Sequence, residues 1–405
     1  MISENTLNDK IRGCLMAGAA GDALGYEVEF INRKTILSHY GERGIREFKL
    51  DSNRKALISD DTQMTLFTAN GMLMGLTRGY MRGIGGRPED YVEYAYMDWY
   101  YTQTRKPKDY YPHTWLYRLP EMAHRRAPGI TCLNALESLV NHQEVKNNSK
   151  GCGGIMRVAP MALLDAGYKL RNQHSGYSLT ELATAGCQVA ECTHKHPLGF
   201  LPAALLTTLL HKVLFLTPDQ VKEDIDHIVE SCIRILGRIY KEEKYAPYKK
   251  ALRELSRKAL RLANSDTPDA EAISMLGEGW TADDAWAIAL FCAVRHIDSV
   301  EMAIIAAVNH DGDSDSTGSI TGNIMGAIYG YEHIKQRNIF CSAGCELEQT
   351  LELSEIILAL ADDLTTGCII SEYDSDITPA KIQWYARYCD MLPVGIGGRD
   401  LESFR

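Results

Sequence analysis

The sequence predicts an all-α protein, built as a single compact multi-helix domain, and three observations carry that prediction. Apolar residues recur at helical spacing wherever a pattern is legible, strand-like alternation is scarce, and no Pro-, Ser- or charge-rich linker divides the 405 residues. In chain order the periodicity marks helices over 11–23, 61–76, 179–191, 201–216, 221–240, 282–295, 300–308, 319–334 and 351–364. The stretch 201–216 is strongly apolar, but it is short for a membrane span and carries His211 and Lys212, so a buried core helix is expected. The domain is expected to span 1–405, with residues from about 375 to 405 as a C-terminal appendage. Gly318, Gly322, Gly326 and Gly330 recur every four residues and clear one helix face of side chains. Ala17, Gly18, Gly21 and Gly25 clear a second such face, and bare faces let helices approach closely.

An apolar content of 45% over this length is enough for a large core. The formal charge of -10 and pI near 5.7 exclude non-specific nucleic-acid binding, which draws on clustered Lys and Arg facing phosphate. Eleven cysteines form no CxxC pair, and Cys14, Cys232 and Cys292 sit inside apolar helical patterns. Free thiols in a reducing, cytoplasmic setting are therefore expected. The opening MISENTLNDKIRG lacks the basic and apolar regions of a signal peptide, and no membrane partner is expected.

Three turn-rich stretches are the candidate site loops: 82–87 (RGIGGR), 147–154 (NNSKGCGG) and 310–318 (HDGDSDSTG). The chemistry gathers in the acids. Ser59 is a good N-cap, and Asp60 and Asp61 fall in the first turn behind it, where acids complement the helix dipole; a capped helix explains them as well as a site does. Asp311, Asp313 and Asp315 alternate directly before another helix, and capping needs one acceptor, not three carboxylates. An EF-hand would require Gly and Glu where this chain has Ser316 and Gly322. What remains is a set of hard oxygen ligands, which favours Mg²⁺ or Mn²⁺ over Zn²⁺. If Asp60, Asp61, Asp313 and Asp315 converge, their charges cannot all stay ionised unaided, and two divalent cations would neutralise them.

Glu27 and Glu29 follow the helix that ends near Gly25; a solvated turn is the default, and Glu29 matters only if it faces the acids. Gly151, Gly153 and Gly154 free backbone N–H groups before a helix-like stretch, a geometry that can hold phosphate oxygens, although the segment is neither a Walker A loop nor a dinucleotide fingerprint. His194 and His196 alternate near Cys187 and Cys192 without regular zinc-ligand spacing, so hydrogen bonding or helix capping is their expected role.

Taken in order, GDALGYEVEF, SDDTQMTL, RAPGITC, SKGCGGIMRVAP, THKHP, GWTADDAWAIAL and DGDSDSTGSITGNIMGA, over about residues 11–335, resemble the ADP-ribosylglycohydrolase family. The resemblance implies an all-helical fold with a binuclear Mg²⁺ or Mn²⁺ site at the base of a central ADP-ribose cleft. It implies metal ligation by Ser59, Asp60, Asp61, Asp313, Asp315 and Ser316, with Asp311 outside the set. Glu29 matches the family's acid near the scissile bond, implied to position or deprotonate the attacking water. Gly151, Cys152 and Gly153 match the loop beside the diphosphate, with Cys152 where many relatives have Asn, and His194 matches a histidine lining the cleft. The implied activity is metal-dependent cleavage of the glycosidic bond between ADP-ribose and an acceptor: a protein side chain first, with nucleic acid or a small molecule as the other candidates. Competing expectations are hydrolysis of a free ADP-ribose ester or other N-riboside, and an inactive binding or structural relative. The stretch from about 335, with Cys341, Cys345, Trp384 and Tyr385, lies largely beyond the resemblance and is a candidate for shaping acceptor choice.

Overall fold

Side-chain caps such as Ser3, Asn32, Ser178 and Thr217 start several of the helices, and apolar faces pack them. In the computed structural model, which describes residues 2–83, 86–172, 176–371, 373–376 and 378–389, the chain opens with α1 (Glu4–Tyr26), α2 (Arg33–Tyr40), α3 (Asp60–Arg82), α4 (Pro88–Gln103), α5 (Ile130–Val140) and α6 (Ala159–Asn172). Next come α7 (Leu179–Glu191), α8 (Pro197–Leu214), α9 (Pro218–Leu236), α10 (Ala246–Ala263), α11 (Asp269–Leu276) and α12 (Ala282–Arg295). The last third holds α13 (Val300–Val308), α14 (Ser314–Tyr329), α15 (Tyr331–Arg337), α16 (Leu347–Thr350), α17 (Ser354–Thr366) and α18 (Pro379–Tyr388). No strand forms among the described residues; isolated bridges join Ala56 to Leu351 and Gly151 to Thr281. The all-α expectation holds.

The two glycine-lined helices are partners. A Cβ added at Gly322 would lie 2.0 Å from the Ala17 carbonyl oxygen, and one at Gly326 would lie 2.0 Å from that of Gly13. Gly21 and Gly318 meet in the same way, each added Cβ falling 2.1 or 2.5 Å from the other's carbonyl. Backbone therefore packs on backbone along α1 and α14, with α12, α13, α15 and α17 around them. Helix α8 packs against α6, α7, α9 and α12; by length and composition it could cross a membrane, but 83% of it is buried within the protein as a core helix.

Several boundaries differ from the sequence pattern for local reasons. The 319–334 pattern is two helices, because Gly330 at φ 83° caps α14 and restarts the chain as α15. Helix α14 begins at Ser314, so the acids read as a loop fall partly in its first turn, with Asp313 as N-cap. Helix α9 ends at Leu236 and α17 starts at Ser354, both shorter than the periodicity suggested. Of the other flagged segments, residues 84–85 of the RGIGGR loop and 377 and 390–405 of the C-terminal appendage lie outside the described residues. The part of the appendage that is described, α18, is tied to α3 by the Trp384 indole N–H donating to Thr77 Oγ1 at 3.0 Å.

Candidate metal centre and substrate cleft

The N-termini of α3 and α14 meet beside the C-terminal end of α1, and the joint is Asp22. Fully buried in α1, its carboxylate accepts the backbone N–H groups of Ser59 (3.0 Å) and Thr62 (3.1 Å), together with the Thr62 hydroxyl. The first turn of α3 is thereby pinned to α1. Glu352 secures the segment leading into that turn, accepting from the Ile58 N–H and the Arg126 guanidinium, each at 3.1 Å. Ser59 Oγ then caps α3 by accepting the Asp61 N–H at 3.1 Å, and Asp60 accepts the Gly129 N–H at 3.1 Å.

At the start of α14, Asp313 accepts the Ser316 N–H at 3.3 Å and the Cys152 thiol at 2.7 Å, while Asp315 accepts the same Ser316 N–H at 2.9 Å. Glu29 enters from the turn after α1, held by the buried Val28. Carboxylate oxygens of Glu29, Asp313 and Asp315 all lie within 4.8 Å of one another. Together with Asp60, Asp61 and Ser316 they wall one side of a cavity of about 700 Å³, and Gly151, Cys152, Gly153 and His194 line it as well. Ser59 sits fully buried behind the wall. Asp311 points elsewhere, accepting the Arg33 N–H at 2.7 Å where α2 begins. Glu27, the other acid of the turn, pairs with Lys49 and the Tyr40 hydroxyl.

Burial makes this charge hard to carry. It pushes the Asp60, Asp61 and Asp313 carboxyls well above the usual range, with the neighbouring charge of Asp315 adding to the shift. Burial first, then Asp315, raises Glu29 to about 11 and Asp22 to about 7. Glu29 Oε2 and Asp61 Oδ2 are buried with no hydrogen-bond partner. A buried acceptor left unpaired costs about 1–3 kcal/mol, and more when ionised. Two orphaned carboxylate oxygens in an all-oxygen donor set fit hard divalent cations.

Behind His194 lies a buried cation. Arg157, fully buried and 4.3 Å from the Tyr96 ring, donates to Thr193 Oγ1 at 2.6 Å, and that hydroxyl lies 2.9 Å from His194 Nδ1. Burial and then the Arg157 charge lower His194 to about 3, so its ring is neutral. Nδ1 is thus tied to the Thr193 hydroxyl, while Nε2 lies toward the glycine loop, 3.3 Å from a Cβ added at Gly151. A Cβ at Gly153 would lie 2.9 Å from Cys132 Sγ and 3.0 Å from His194 Cε1. Two amides of this loop are not free as its glycines suggested: Gly151 N–H donates to Ser149 Oγ at 3.3 Å, and Cys152 N–H to the Trp280 carbonyl at 3.2 Å. His196 caps α8, accepting the Leu198 N–H at 3.0 Å.

Sequence reasoning missed Asp22, Phe30 and Trp280. Phe30 and Trp280 also line the cavity, 72% and 40% exposed, with ring centroids 6.3 Å apart and planes 23° from parallel. Asp22 had a signal, an acid directly after Gly21 inside the otherwise apolar stretch 13–25.

Fold and cleft together define an all-helical protein whose carboxylate-walled cleft suits divalent cations. Residues 3–370 match the ADP-ribosylglycohydrolase family, and the chain belongs to that family. An uncharacterized protein of Archaeoglobus fulgidus is 25% identical over 328 residues, covering 79% of this chain and 88% of that protein. The ADP-ribosylhydrolase ARH3 of Bos taurus is 24% identical over 212 residues, covering 46% of this chain and 52% of that protein. Its Mus musculus counterpart is 24% identical over 213 residues, covering 46% and 51%. The chain thus spans about half the length of these two mammalian relatives. A solved ADP-ribosylglycohydrolase-related protein complex shares the fold at a TM-score of 0.55 and 21% identity, covering 90% of this chain and 100% of that one.

Proposed function

We propose that the protein hydrolyses the glycosidic bond between ADP-ribose and a modified acceptor, a protein side chain in the first place, with two divalent cations, Mg²⁺ or Mn²⁺, in the acidic cleft. The observation that carries the reading is the pair of buried, partnerless oxygens, Glu29 Oε2 and Asp61 Oδ2, in a cleft shared with Asp60, Asp313 and Asp315. Asp60, Asp61, Asp313 and Asp315 would hold the cations, with the Ser316 hydroxyl on the wall and Ser59 behind it. When bound, such cations neutralise the carboxylates and polarise ribose oxygens and water.

The remaining roles fall to side chains. Positive charge develops at the anomeric carbon as the acceptor leaves, and Glu29, beside Asp313 and Asp315, would orient the attacking water and, once bound cations offset the burial and charge that keep it protonated, take its proton. Neutral His194 would donate from Nε2 to a phosphate or ribose oxygen beside Gly151 and Gly153. The rings of Phe30 and Trp280 would flank the acceptor, since Phe30 adjoins Glu29 in sequence and both rings line the same cavity. Eleven free cysteines support the reading of a reducing, cytoplasmic setting.

The test is ADP-ribose release from ADP-ribosyl-arginine, ADP-ribosyl-serine, O-acetyl-ADP-ribose and ADP-ribosylated nucleic acid, each with Mg²⁺, Mn²⁺ or chelator. Turnover of a protein-type conjugate that chelator abolishes is expected. The Asp60→Ala/Asp61→Ala protein should be folded and inactive, and Phe30→Ala should raise KM more than it lowers kcat. Turnover undiminished by chelator or by the double substitution refutes the reading. Exclusive turnover of O-acetyl-ADP-ribose moves the substrate to the free ester.

A further inference from the structure

The chain carries a net charge of -10, yet four arginines, Arg78, Arg82, Arg118 and Arg387, line one cavity of about 320 Å³; Arg82 and Arg387 have partners of their own, and no carboxylate is among the lining residues. The cavity lies at the C-terminal end of α3, whose N-terminal end carries Asp60 and Asp61. At 1.5 Å rise per residue, Arg78 stands about 26 Å along the helix from Asp61, so the two sites are separate.

Arg387 is fixed in place. Its guanidinium donates to Asp363 at 2.7 Å and lies 5.2 Å from the Trp115 ring centroid. Arg78 and Arg118 are exposed and have no hydrogen-bond or ion-pair partner among the described residues. Single exposed guanidinium groups are ordinarily satisfied by water, but here they converge on one concavity, where like charges favour an anion between them. The buried Asp98 behind Thr114 does not neutralise them. It is taken up by the N–H groups of His113 (3.2 Å) and Thr114 (2.6 Å) and by the hydroxyls of Thr114 and Tyr110.

Aromatic rings supply part of the remaining lining. Tyr91, Tyr94, His113 and Trp115 contribute flat walls, and the Tyr94 and His113 rings lie 4.9 Å apart. Guanidinium forks match phosphate oxygens, and aromatic faces match a nucleobase. The volume sits at the small end of the range for small-molecule sites, which suits a mononucleotide better than a dinucleotide. The wall from α18 lies beyond the residues 3–370 that match the family, so the pocket draws on a part of this chain outside that match. The bond from Trp384 to Thr77 holds that wall on α3.

We propose that this cavity binds a nucleoside monophosphate, with the phosphate among the arginines and the base against the rings of Tyr91, Tyr94 and Trp115. Calorimetric titration of the full chain with AMP, inorganic phosphate and adenosine, in chelator, tests it. One AMP site per chain is expected, with phosphate and adenosine each at least about tenfold weaker. Affinity for AMP should fall at least about tenfold in Arg78→Gln/Arg118→Gln and recover in part in Arg78→Lys/Arg118→Lys, both with the parent melting temperature. No AMP binding, or AMP binding equally tight in the glutamine protein, overturns the proposal. Phosphate binding as tight as AMP also overturns it, because the rings would then hold nothing.

Discussion

Asp61 presents a carboxylate oxygen that is buried without a hydrogen-bond partner, in the same cleft as Asp60, Asp313 and Asp315. Its presence costs the cation-free fold stability, a trade of stability for function. Asp61→Ala should therefore melt at a higher temperature than the parent in chelator near neutral pH, and should lose the stabilisation that Mg²⁺ or Mn²⁺ gives the parent. A lower melting temperature in chelator would make Asp61 a structural group instead. Asp22 and Glu29 add a pH signature. Both are raised, so the folded protein keeps protons that the open chain releases; the stability they contribute is full below the ordinary carboxyl range near 4 and is lost as pH climbs toward about 7 for Asp22 and about 11 for Glu29. Denaturant melts in chelator should show stability falling from about pH 5 to about pH 8. A rise across that window would contradict the account. The alternating Asp311, Asp313 and Asp315 stood out because three carboxylates exceed what capping needs, whereas Asp60 and Asp61 read equally well as a capped helix start. Asp22 did not stand out, because one acid in an apolar stretch reads as a break in periodicity, and its partners Ser59 and Thr62 lie 37 and 40 positions away.

Helices α1 and α14 owe their contact to absent side chains. The spacing of their glycines announced two bare faces, but a bare face does not name what covers it, so their pairing emerged only in three dimensions. Gly322→Ala places a Cβ 2.0 Å from the Ala17 carbonyl oxygen, and backbone cannot swing aside as a side chain can. Overpacking of this kind costs about 3 kcal/mol. The substitution should lower the melting temperature and weaken cation affinity together, because the same contact seats Asp313 and Asp315 against Asp22 and Glu29. Unchanged melting would show that the helices separate freely. The start of α14 was hidden for a related reason: periodicity counts apolar residues, and the acids that open this helix count against it. Helix α3 was easier, since Ser59 followed by two acids is a helix start in either reading.

For the molecule as a whole, the fold class and the ordered segments from about 11 to 335 were readable in sequence, and the match over residues 3–370 agrees with them. The contribution of the stretch beyond about residue 335 was not. Glu352 and the bridge from Leu351 to Ala56 steady the approach to Ser59, and α18 walls the arginine cavity; both are long-range contacts that no local pattern encodes. Everything functional depends on remote acidic segments sharing one cleft whose charge protons or cations must carry. Calorimetric titration of Mn²⁺ into the chelator-treated full chain, in two buffers of different ionisation enthalpy, measures that dependence directly. Two ions per chain should bind with release of protons, and Asp61→Ala and Asp315→Ala, one from each segment, should each weaken binding by at least about tenfold. Binding without proton release, or binding that survives loss of either aspartate, would contradict the shared cleft.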